Sequence, residues 1–199
     1  MMTASPRSRI FFLAIMAILF AGSLDVVVAK QIIDKKTGGI ETEQQGLRIF
    51  VMPRRPGHMT AFYEGRGLPQ NAIRHLKDVC YFTIGMRQQK KRIVWMEPGR
   101  WQFKDQHGRQ IKRFSREHWD ELWRKLKVPD GPRVTFGWAQ LPNARDLRYQ
   151  EPVGGMVMLV PTTGPISLLM DFRTNADKKG PAIRVWLHGL RCMSDEKES

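Results

Sequence analysis

The sequence predicts a mainly β protein, a β-sandwich of immunoglobulin-like architecture with one amphipathic helix, preceded by a cleavable signal peptide. Three observations carry this. Arg7 and Arg9 stand before an unbroken apolar run, Ile10 to Ala21, and a small-residue segment ending Val27-Val28-Ala29, the three-part plan of a secretory signal. From Leu47 onward, short alternating runs are separated by Pro, Gly, Asn and Asp, the punctuation of antiparallel strands. Cys80 and Cys192 are the chain's two cysteines, which in an oxidising compartment most simply make one disulfide bond.

The apolar run is shorter than the roughly 20 residues a bilayer core requires, and Asp25 interrupts any longer span. Cleavage near Ala-Gly-Ser at 21–23 or Val-Val-Ala at 27–29 is therefore expected, giving a secreted or periplasmic protein. The alternative is an uncleaved anchor in the inner membrane over residues 10–29. Residues 30–46 are polar with a Gly-Gly break and read as a flexible or edge-hugging leader.

Residues 47–192 are expected to form a single β-rich domain. Its strands are expected at Leu47–Met52, Thr60–Tyr63, Val79–Arg87, Arg92–Glu97, Trp101–Lys104, Arg133–Ala139, Met156–Val160, Ile166–Arg173 and Ala182–His188. Residues two apart share a strand face, so Cys80, Phe82, Ile84 and Met86 form one inward set and Ile166, Leu168, Met170 and Phe172 another. Val134, Phe136 and Trp138 read as a third. Between these runs, Ser115 is placed to cap a helix whose stripe is Phe114, Trp119, Leu122, Trp123 and Leu126, with Pro129 and Gly131 ending it. Asp120 with Arg124 and Glu121 with Lys125 are spaced to pair along it. A shorter turn of helix is expected around Pro69–Lys77. Gly189 leaves the facing of Cys192 open, and residues 193–199 are expected to be a disordered tail.

The protein is basic, with a formal net charge of +14. The excess concentrates in residues 87–127, where thirteen Lys and Arg face five Asp and Glu. The cations singled out are Arg87, Lys90, Lys91, Arg92, Arg100, Lys104, Arg109, Lys112 and Arg113, interleaved with Trp95, Trp101 and Phe103. That composition suits an anionic partner: an envelope polymer, a lipid headgroup at a membrane surface, or an acidic protein. Nucleic acid is disfavoured because an exported protein seldom meets it.

The segment Gly57 to Pro69 adds Glu64 and Arg66 as binding candidates, because Gly65 and Gly67 permit close backbone approach. No nucleophile elbow, zincin, phosphate-loop or dinucleotide motif is present. The expected function is therefore binding without catalysis, with no cofactor. The alternative is a periplasmic copper-handling protein using His58 and Met59, since thioethers suit Cu(I).

Overall fold

A computed structural model describes residues 30–195; residues 1–29, where the signal peptide is expected, and residues 196–199 lie outside the described residues. Strands are β1 (Gln31–Ile33), β2 (Ile40–Gln44), β3 (Leu47–Arg54), β4 (Cys80–Gln88), β5 (Val94–Met96), β6 (Gln102–Lys104), β7 (Arg145–Leu147), β8 (Pro152–Leu159), β9 (Ile166–Thr174) and β10 (Gly180–Leu190). Helices are α1 (Pro56–Glu64), α2 (Gln70–Ile73), α3 (Arg116–Lys125) and α4 (Asp130–Ala139). The strands build two antiparallel sheets, ordered β1-β2-β3-β4-β8 and β10-β9-β5-β7, with β6 also on β9. That order differs from the strand arrangement of an immunoglobulin domain.

The sheets bury one core between them. Cys80, Phe82, Ile84 and Met86 of β4 face Ile166, Leu168, Met170 and Phe172 of β9 within a single cluster, and each is at most 3% exposed. Here period-2 alternation predicts the inner face residue by residue. Residues 31–44, expected as a flexible or edge-hugging leader, form β1 and β2, with β1 at the sheet edge. Ile40, Leu47, Ile49 and Val51 carry the core into β2 and β3.

The second layer departs from expectation. Among the described residues four α-helices stand where one helix and a shorter helical turn around Pro69–Lys77 were expected, the turn being α2, and they cover part of the outer face of the first sheet. Thr60–Tyr63 belongs to α1, which Pro56 starts at its first turn. Its end is a Schellman turn: Leu68 N–H donates to Tyr63 O and Gly67 N–H to Glu64 O, with Gly67 at φ +81° in the left-handed region glycine tolerates.

Arg133–Ala139 is helical, not a strand. Pro129 and Gly131 do not end α3, which stops at Lys125; Pro129 is the N-cap residue of α4 and Gly131 lies in its first turn. Of the expected inward set only Phe136 is buried, while Val134 and Trp138 are exposed. Ser115 does cap α3, its Oγ accepting from His118 N–H at 3.1 Å, and Asp120 pairs with Arg124 at 2.9 Å.

The helices enclose a core of their own: Trp119, Trp123, Phe136, Tyr63, Ile73 and Leu76 against Val79, Tyr81 and Met158. Trp119 and Trp123 stack at 5.2 Å, and Phe136 meets Trp123 edge-on at 5.1 Å. The first sheet is thus buried on both faces near Tyr81 and on one face near Arg87.

Cys80 and Cys192 are disulfide-bonded, with Cα atoms 5.2 Å apart. A register shift between Leu187 and Leu190, at Gly189 with φ +83°, is what turns the chain end inward. Beyond the bond, Asp195 Oδ1 accepts from Gly57 N–H at 2.8 Å, so the described start of the expected disordered tail is docked on the first turn of α1. No helix among the described residues is long and apolar enough to cross a membrane.

Candidate functional site

The helices leave the outer face of the first sheet open at one end, and strand register fixes what lies there. Antiparallel pairing sets Arg48, Arg87 and Pro152 in one cross-strand row, and Glu41, Phe50, Gly85 and Gly154 in the next. These residues, with Thr83 and Gly155, line a depression of about 490 Å³. With strands about 4.8 Å apart, the row from Glu41 to Gly154 spans about 14 Å across the sheet.

Glycine forms its floor for a steric reason. A Cβ on Gly85 would lie 2.1 Å from Phe50 Cε1, so the Phe50 ring, 41% exposed, lies flat over the backbone. Gly154 sits opposite Gly85 and leaves the floor open beside it.

The depression continues past β8. Pro152, Val153 and Gly154 also line an adjoining space of about 340 Å³ with Arg116, Trp138, Gln140 and Arg145. Arg116, Trp138 and Gln140 in turn line a cleft of about 310 Å³ between α3 and α4. One groove therefore runs from the β2–β3 hairpin to the helices. Trp138 is 77% exposed and forms its wall.

Gly155 holds that wall in place. Leu141 N–H donates to Met156 O at 3.1 Å, and a Cβ on Gly155 would come within 2.5 Å of Leu141 N. Gly155→Ala is expected to cost about 1–3 kcal/mol, as overpacking does, and to displace the 138–141 segment. Chemical denaturation gives the first, and altered quenching of Trp138 fluorescence the second.

Charges along the groove fall into two kinds. Arg48 pairs with Glu41, Arg145 with Glu151, and Arg133 with Asp120 and Asp130. Glu117 accepts from Asn143, and its carboxyl is held below the usual range first by a backbone N–H hydrogen bond, then by Asn143. Arg87 and Arg116 have no carboxylate within ion-pair distance among the described residues.

The cations singled out by sequence do not form one surface. Arg87, Lys90, Lys91 and Arg92 gather about the β2–β3 turn, where the Lys90 stem covers Gly46 and Arg92 Nη2 donates to Gln45 O at 2.6 Å. Arg113 bridges to Leu159, whereas Arg87 is opposite Pro152. Those are the two ends of β8, about 23 Å apart at 3.3 Å per residue. Arg100 lies near Glu97 at 3.8 Å. Arg109 is held by Asp105 at 2.7 Å. Lys104 and Lys112 accompany β6 and the approach to α3.

Glu64 and Arg66 belong to the end of α1: Glu64 accepts from Gln70, and the Arg66 guanidinium lies 3.6 Å over the Phe62 ring. His58 is exposed while Met59 is buried in the helical core, so these two side chains do not meet. No cluster of three or more His, Cys, Asp or Glu suited to a metal occurs among the described residues.

Sequence reading missed Phe50, Trp138, Arg116 and Gln140. Glycines within strands are the signal for close backbone approach, and the Gly154-Gly155 pair carries it.

No protein-family model matches the chain, and no curated protein matches its sequence. Among solved structures it is similar to the yjhA protein from Bacillus subtilis, at 15% identity and a TM-score of 0.36, over 56% of this chain and 76% of that one.

Proposed function

We propose that this is an exported binding protein that holds an anionic polysaccharide of the cell envelope in the groove, without catalysis. The observation that carries the reading is the groove itself. It is long, open and shallow, with two exposed aromatic rings, Phe50 and Trp138, and two arginines, Arg87 and Arg116, free of acidic partners among the described residues. Aromatic faces offer large contact area at little entropic cost, and guanidinium forks suit anionic oxygens. A groove that crosses the sheet and goes on to the helices accepts a chain more readily than a small molecule. Export is supported by the N-terminal pattern and by the Cys80–Cys192 bond.

Binding then depends on salt, because exposed charges are screened over about 8 Å at physiological ionic strength. The protein should be retained on an immobilised anionic polysaccharide at low salt and released at moderate salt. Arg87→Glu should elute earlier, and a neutral glucan column should not retain the protein more strongly. Lack of retention at low salt, or unchanged elution of Arg87→Glu, would end this reading.

A further inference from the structure

Gln140 is a polar residue of the groove that the fold itself leaves unfulfilled. It is only 6% exposed, it lines both the space beside β8 and the α3–α4 cleft, and its Nε2 has no partner among the described residues. Leaving a buried donor unpaired is destabilising, so an amide kept in that state is expected to serve something that enters.

The groups around it are donors as well. Trp123 Nε1, which can only donate, is also without a partner among the described residues, and Trp123 lines the same cleft. Arg116 lines the groove beside Gln140 and Trp138. The acids of the cleft are already engaged: Asp120 by Arg124 and Arg133, Glu117 by Asn143. What is left over is one positive charge, an unsatisfied amide N–H and an exposed indole face.

We propose that this end of the groove is a subsite for a carboxylated sugar unit: Arg116 and Gln140 Nε2 hold the carboxylate, and Trp138 lies against the ring. The proposal rests on the polysaccharide reading above and names the unit recognised. A single guanidinium balances one negative charge, which a uronate carries, and a guanidinium with a neighbouring amide donor fits its two oxygens. The engaged acids at the rim disfavour a group of higher charge.

The test is titration of the whole protein with an oligogalacturonate, with the same oligomer after reduction of its carboxyls to alcohols, and with a glycerol-phosphate polymer. Tryptophan fluorescence and calorimetry provide the readouts. The oligogalacturonate should bind, and carboxyl reduction should weaken binding at least about tenfold, as should Arg116→Gln or Gln140→Leu.

Gln140→Leu removes an unpaired buried amide and should melt no lower than the parent, which separates loss of binding from loss of fold. Parent-like affinity for oligogalacturonate in both variants would overturn the subsite while leaving the groove reading intact, provided Arg87→Glu still weakens retention. Equal or tighter binding of the phosphate polymer, lost in the same variants, would overturn the carboxylate assignment. If no polyanion is retained at low salt, the groove reading fails first and the subsite fails with it.

Discussion

Reducing the Cys80–Cys192 bond, or replacing Cys192 by Ala, is expected to lower stability by about 4–5 kcal/mol, with a fall in melting temperature of about 10–20 °C. The bond closes a loop with a sequence separation of 112, and the chain-entropy model assigns its stabilisation to the freedom that cross-link removes from the unfolded chain. Location adds a structural consequence. Cys80 lies on β4, inside the first sheet, and Cys192 follows β10 of the second, so the bond fastens one sheet to the other. It also fixes the stretch that brings Asp195 to Gly57 at the start of α1. Denaturant titration with and without reductant measures the loss. Alkylation of the unfolded, unreduced protein should label no thiol; two labelled cysteines would overturn the bond, and an unchanged transition midpoint would overturn its energetic role.

What was legible in the sequence follows from which contacts are periodic. In β4 and β9 one face meets the inter-sheet core, so the alternating residues Cys80 to Met86 and Ile166 to Phe172 announce their own burial. In Arg133–Ala139 the same alternation misleads. The segment is a helix that buries Phe136 and exposes Val134 and Trp138, and a pattern of residue types cannot separate a tryptophan filling a core from one forming the wall of a groove. For α1 the signals were local and readable, Pro56 at the start and Gly67 at the end, yet a short apolar run between them also fits a strand.

The groove was less legible still, because it depends on register. Nothing in the linear order places Phe50 over Gly85, or opens the floor at Gly154; only the pairing of β3, β4 and β8 does. Local charge density was likewise a poor guide. Residues 87–127 are dense in cations along the chain, but the fold sends Arg87 and Arg113 to opposite ends of β8. Arg116, inside that same stretch, reaches the groove because α3 starts at its position, immediately after the Ser115 cap.

Replacing Trp123 by Ala is expected to cost about 3–5 kcal/mol, the range for emptying a large aromatic from a core. Trp123 is fully buried; it stacks on Trp119 within α3 and joins α3 to α4 through its contact with Phe136. The loss should be uneven across the molecule. The helical core containing Trp123 lies on the opposite face of the first sheet from the core containing Cys80, Phe82 and Phe172, so the helices can open while the sheets persist, as partial unfolding of a separately packed unit does. Hydrogen exchange should find α3 and α4 losing protection in the variant while β9 and β10 keep theirs. Equal loss in helices and strands would mean that the two cores form one cooperative unit. The same variant bears on the groove: α4 carries Trp138, with Gln140 directly after it, whereas Arg87 and Phe50 sit on strands. Salt-sensitive retention through Arg87 should therefore survive in part when the carboxylate subsite is lost.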